Sequence, residues 1–195
     1  MRIIGGRLKG LRFAGPLTDA TRPTPERARE GIASALEARS AISGAFVLDL
    51  FAGTGALSFE ALSRGAQRAL LVEKNTKALK PAVSSARTLR IQNQVTTLSL
   101  DLLHNPTLTA KRIAPLEGRP VSVVFADPPY REGDKLMPLL KEVASLELLS
   151  PDCLLVVEHA AGRPLPEIEQ LEKVDSYRYG DTELALLCLT KVPKG

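Results

Sequence analysis

Five short apolar runs, 46–50, 69–73, 95–100, 121–126 and 153–158, recur along the chain with helical stretches between them, near 55–64, 76–91, 106–113 and 134–147. This alternation is the strongest constraint on the fold. Strands of four to eight residues separated by amphipathic helices predict a parallel sheet covered on both faces, the α/β class. Pro81 and Pro138 fall early in two of the helices, which predicts either later starts or kinked first turns. After a helix expected at 164–171 the pattern changes. Lys173–Tyr179 and Glu183–Thr190 read as two strands joined by Gly180-Asp181-Thr182, a hairpin that ends the sheet.

The length of 195 residues fits one domain with enough apolar content, 44%, to bury a core unaided. Cys153 and Cys188 each sit inside an apolar run and read as buried thiols in a reducing compartment, not a disulfide. No segment reaches the roughly 18 apolar residues of a membrane span, and the start Met1–Gly6 carries no apolar core. A soluble cytoplasmic protein is the expectation, with no membrane and no metal, and monomeric for want of a long exposed strand. Charge is uneven. Residues 1–29 hold seven Lys and Arg against two acids, a net +5, while the other 166 residues sum to −1. Such an end either meets phosphates or is simply solvated.

Residues 1–20 are read as a small basic β-hairpin, with Arg2–Ile4 and Leu11–Ala14 around the turn-rich Gly5–Gly10, and 21–195 as the main domain. Thr24 is placed as the cap of a helix with Pro25 at its first position, where the missing N–H costs little.

Two motifs carry the chemistry. The first, Asp49-Leu50-Phe51-Ala52-Gly53-Thr54-Gly55-Ala56, joins a strand to a helix through small residues, so that backbone N–H groups can meet a ligand closely. Glu73 and Asp101 close the next two strands, where the ligands of open α/β sheets bind. Glu73 suits ribose hydroxyls and Asp101 an adenine amine. The alternative is that both acids cap the following helices or face solvent. Ser58 stands where a third glycine would complete a dinucleotide fingerprint, which weakens that reading.

The second motif is Asp127-Pro128-Pro129-Tyr130, at the end of the apolar run 121–126. An amine on an aromatic ring is a poor nucleophile because its lone pair is delocalised. The Asp127 carboxylate and the Pro128 carbonyl can accept its two N–H groups and steady its developing charge, while Tyr130 stacks on the ring. His104 and His159 have no companion nucleophile or ligand cluster and read as structural or surface groups.

With these residues in view, the chain resembles the RsmD family of small-subunit ribosomal RNA guanine-N2 methyltransferases. The likeness rests on Arg2–Gly6 with Lys9-Gly10, on Thr21–Thr24 with Arg27 and Arg29-Glu30, on Asp49–Leu57 and Glu60–Ala66, and on Asp127–Tyr130 and Tyr179–Thr182. It implies a Rossmann-like class I methyltransferase of seven mostly parallel strands, with S-adenosylmethionine as donor. Asp49, Phe51, Gly53, Gly55, Ala56, Glu73 and Asp101 would hold the cofactor, and Asp127, Pro128 and Tyr130 would act on the amine. Arg7, Lys9, Arg12, Arg22, Thr24 and Tyr130 would bind 16S ribosomal RNA, within a small-subunit particle. A DNA adenine-N6 methyltransferase would face the same chemical problem but usually needs a larger recognition region; a non-catalytic RNA-binding assembly factor is the reading from another class. Ser58-Phe59 and Gly31–Ser34 depart from the family pattern. The glycine costs its helix up to about 1 kcal/mol relative to alanine.

Overall fold

The computed structural model describes residues 1–16, 24–113, 120–128, 133–145, 148–163 and 165–190. Seven strands, β1 (Phe46–Leu50), β2 (Arg68–Glu73), β3 (Val95–Ser99), β4 (Val121–Ala126), β5 (Leu149–Ala160), β6 (Leu171–Tyr179) and β7 (Thr182–Leu189), form one sheet in the order β3-β2-β1-β4-β5-β7-β6. The first five are parallel; β7 runs antiparallel between β5 and β6. Among the described residues, α1 (Glu26–Glu37) precedes β1, and α2 (Ala56–Ser63), α3 (Thr76–Thr88), α4 (Pro106–Ile113) and α5 (Gly133–Ala144) connect the first five strands in turn. The expected seven-stranded, mostly parallel sheet ending in a hairpin is the observed one.

The pleat separates two cores. Val47, Leu71, Val123, Phe125 and Val156 face α1, α2 and α3, where they meet Ile32, Leu36, Phe59, Leu62 and Ala82. Leu48, Leu50, Leu70, Val124 and Leu155 face the other side, against Ile113 of α4 and Leu136, Leu139 and Val143 of α5. Burial on both faces is why β1 and β4 are continuous apolar runs rather than alternating ones. Full burial of a side chain such as Phe59 contributes about 1.5–3 kcal/mol.

Among its described residues the amino-terminal segment makes an antiparallel bridge, Arg2 with Arg12, around a 3-10 turn at Gly6–Leu8. Ile3, Leu8 and Phe13 are buried in the same core as α1 and α2, and the Phe13 ring meets Phe59 edge-on at 5.4 Å. Buried Glu60 of α2 fastens the segment by accepting the N–H groups of Ile4 (2.9 Å) and Gly5 (2.8 Å). The same carboxylate pairs with Arg64, whose guanidinium also reaches Glu30 and Glu37.

Three local expectations are corrected. Helix α1 starts at Glu26, with Pro25 in the capping position and no side-chain cap from Thr24. The helix expected at 164–171 is absent: Ile168 bridges to Leu171, and 165–170 lead as turn and extended chain into β6. Proline in a first turn does not by itself forbid a helix; here the Ile168–Leu171 bridge and the pairing of β6 with β7 take the backbone groups of this stretch instead. Pro81 and Pro138 lie inside α3 and α5, so those helices do not start later.

Candidate active site

Sheet order fixes where a ligand can bind. Connections from β1 lead one way to β2 and β3, and β4 and β5 lie on the other side, so the order reverses between β1 and β4. A crevice outside the carboxyl ends of those strands is the expected binding place in an open α/β sheet. Asp49 is the penultimate residue of β1, Glu73 ends β2, Asp101 follows β3 and Asp127 follows β4. The register pairs Asp49 with Phe125 and Ala126 with Val157, which sets Asp127 beside Phe51 on one side and Glu158 on the other. Strand pleating directs Asp49, Asp127 and Glu158 to the α1–α2 side of the sheet.

The loop after β1 is held in left-handed backbone. Phe51 has φ 66°, Gly53 φ 51° and Gly55 φ 76°. Strain at a bulky non-glycine residue such as Phe51 is what functional turns commonly store. At Gly53 a Cβ would find nothing nearer than the Phe51 carbonyl oxygen at 4.0 Å, leaving that backbone open to a ligand. At Gly55 a Cβ would meet Leu71 Cδ2 at 2.8 Å and Phe59 Cζ at 2.9 Å, so its glycine serves packing. Ala56 opens α2 and is buried.

Glu73 accepts the N–H of Gly53 at 3.0 Å through one oxygen and of Asn75 at 2.8 Å through the other. It shapes the loop from below while retaining lone pairs for a further donor. Asp101 is paired with Lys74 at 2.6 Å and accepts the Leu103 N–H at 3.3 Å; Lys74 holds its carboxyl below the ordinary range.

Asp49 is buried and receives the Ser58 hydroxyl at 2.6 Å. Burial pushes its carboxyl up to about 7, against the opposing hydrogen bonds from the Ser58 side chain and backbone, with Glu73 adding a like charge. Asp127 is pushed up to about 8 by burial, then by the charges of Glu158 and Asp49, with a partial offset from the Thr24 hydroxyl at 3.4 Å. Pro128 is buried. The site therefore gathers acids that a cationic ligand would return to their charged forms.

Thr24 is held in turn by Arg29, whose buried guanidinium donates to the carbonyls of Thr24 (3.3 Å) and Arg2 (2.9 Å). Arg12 is exposed and its backbone bridges Arg2. Arg7 and Lys9 are exposed at the other extreme. Arg7 donates to Gln94 at 2.6 Å and borders an open groove of about 710 Å³ with Gly65, Gln67 and Gln94. Those residues precede β2 and β3, so this groove lies at the strands' amino ends, away from Asp127. Arg22 and Tyr130 lie outside the described residues. Glu158, Ser58 and Arg29 are the groups that motif reading did not assign to the site. An acid at the end of the strand beside β4 was a usable signal for the first.

The family model described as "conserved hypothetical protein 95" matches residues 1–188. Ribosomal RNA small subunit methyltransferase D of Escherichia coli strain K12 is 33% identical over 172 residues, covering 86% of this chain and 79% of that protein. The chain belongs to the RsmD family. Among solved structures, the yhhF protein of Escherichia coli superposes on this RsmD-family chain with a TM-score of 0.80 at 27% identity, over 97% of each chain. An RNA methyltransferase from Salinibacter ruber, solved with S-adenosyl-L-homocysteine, has a TM-score of 0.61 at 20% identity and covers 89% of this chain and 98% of its own, a likeness of fold alone. Among the described residues no helix is long and apolar enough to cross a membrane.

Proposed function

We propose that this RsmD-family protein is a cytoplasmic enzyme that methylates the exocyclic N2 amine of a guanine in small-subunit (16S) ribosomal RNA, with S-adenosylmethionine as donor. The observation that carries the reading is the placement of Asp127 and Pro128 after β4, across the switch point from Asp49 and the open Gly53 turn. The carboxylates fit the cofactor's chemistry: Asp49 for its ammonium, Glu73 for the ribose hydroxyls, Asp101 for the adenine amine. Bound there, the cofactor supplies an electrophilic methyl on a positively charged sulfur.

The protein's own part is positioning and electrostatics. Asp127 and the Pro128 carbonyl accept the two N–H groups of the target amine, turning its lone pair out of conjugation and steadying the positive charge that nitrogen gains. Tyr130 stacks on the base. The positive charge of the bound cofactor would favour the ionised form of Asp127, which can then accept the proton that nitrogen sheds. The base must leave its stack to reach the strand ends, at a cost of a few kcal/mol, least for a loop nucleotide. Arg12, Arg22 and Thr24 lie on the segment that would meet the RNA as a monomer docks on a particle.

Transfer of labelled methyl from S-adenosylmethionine to unmodified small-subunit particles, naked 16S ribosomal RNA and duplex DNA tests the proposal. N2-methylguanosine from particles or RNA is the expected product. N6-methyladenine from DNA would overturn the substrate, and absence of transfer to all three would overturn the enzyme reading.

A further inference from the structure

Helix α2 begins at Gly55, which has no side chain to cap the first turn. The third residue of the helix, Ser58, turns both its backbone N–H and its hydroxyl toward Asp49 near the end of β1. The carboxylate thus receives the Ser58 hydroxyl at the amino end of α2, where the helix dipole favours an anion. Both residues are buried, Ser58 fully and Asp49 with 3% of its surface left exposed.

The charged groups acting on Asp49 are acids. Glu73 bears on it from β2, and Asp49 with Glu158 of β5 in turn raises Asp127 after β4. Burial and like charge both favour the neutral carboxylic acid, and the two donors from Ser58 oppose them. A neutral Asp49 would have no charge to offer an ammonium group. We propose that Ser58 is a positioning residue for the cofactor: its hydroxyl, 2.6 Å from the Asp49 carboxylate in a buried pair, fixes that carboxylate to receive the amino-acid end of the ligand. The inference rests on the cofactor reading above and names what tunes that subsite in this chain.

One consequence is direct. Seating an ammonium beside Asp49 completes its ionisation, so binding must release a proton in the range around pH 7, and removal of the Ser58 hydroxyl must increase that release at higher pH. Calorimetric titration of the full chain with S-adenosyl-L-homocysteine, from pH 6 to 9 in buffers of differing ionisation enthalpy, reads both affinity and protons. Wild-type affinity is expected to rise with pH through about 7. In Ser58→Ala the rise moves to higher pH, with binding at pH 7 weakened about five- to tenfold for each unit the carboxyl moves, and in Asp49→Asn the proton release is diminished to what Asp127 contributes. Equal pH midpoints and equal proton release in wild type and Ser58→Ala would overturn the assignment, as would undiminished release in Asp49→Asn. Failure of the wild-type chain to bind S-adenosyl-L-homocysteine at any pH would instead defeat the functional reading beneath it.

Discussion

The Thr24 hydroxyl lies 3.4 Å from the Asp127 carboxylate, so a residue just before α1 touches the acid after β4. Arg29 holds the Thr24 carbonyl from below, which ties the helix, the preceding segment and the candidate reactive group together. Thr24 opposes the upward displacement of the Asp127 carboxyl. Thr24→Ala should therefore move the acid limb of the pH–rate profile to higher pH and lower kcat/KM at pH 7 by up to about tenfold, one unit of displacement. A pH–rate profile checks it; an unmoved limb would leave Thr24 a bystander.

Gly31 explains itself against Tyr179. A Cβ at position 31 would overlap the Tyr179 hydroxyl and lie 2.9 Å from its Cζ, so α1 accepts a glycine where the β6 tyrosine crosses it. Helix propensity alone predicts that Gly31→Ala gains about 1 kcal/mol. The overlap reverses the sign, and a loss of roughly 1–3 kcal/mol is expected. In a Tyr179→Ala background the same substitution should become neutral or stabilising, a double-mutant cycle readable by denaturant unfolding.

Acidity should govern the stability of the unliganded protein in an unusual direction. Asp49 and Asp127 are raised in the folded state, to about 7 and about 8, from an ordinary 3.8. The folded state thus binds these protons more tightly, and the stability they lend is complete below about pH 4 and lost as pH rises through 7 and 8. Asp101 and Asp175 oppose this at the acid end. Lys74 lowers the first, and Tyr177 with Arg39 the second, so their contributions are lost below the ordinary range. Thermal melts should show a higher midpoint at pH 6 than at pH 8.5, and Asp49→Asn with Asp127→Asn should flatten the difference. A higher midpoint at pH 8.5 in the wild type would contradict the assignment.

The basic segment divides into two parts. Arg12 bridges Arg2, beside the carbonyl that Arg29 holds, whereas Arg7 and Lys9 lie toward the amino ends of the strands. Replacement of Arg7, Lys9 and Arg12 together should weaken RNA binding and reduce its salt dependence, since each lost phosphate contact removes about one unit of slope. Arg12→Ala alone should account for more of the loss than Arg7→Ala. Unchanged affinity of the triple variant at two salt concentrations would remove the segment from the RNA interface.

Most of the sheet was legible because its central strands are covered on both faces. The runs 46–50 and 121–126 became β1 and β4 without a change of boundary. What escaped was nonlocal. Glu158 closes the expected strand 153–158, yet that it reaches Asp127 follows only from the β4–β5 register. Ile3, Leu8 and Phe13 fit neither a helical nor a strand period, so a segment read for its charge also buries three apolar anchors. Ser58 was legible as a missing glycine, yet its bond to Asp49 needs the strand and helix folded together. The expected helix at 164–171 gives way to the Ile168–Leu171 bridge that leads into β6, a pairing no local pattern showed.

The central claim is that Asp127 receives the target amine. It is tested most directly by Asp127→Asn, assayed for methyl transfer to small-subunit particles and for binding of S-adenosyl-L-homocysteine and of RNA. Loss of turnover by a factor of at least about 100, the scale of an electrostatic group at a reacting centre, with both bindings retained, is the predicted result. Turnover within twofold of wild type would contradict the account.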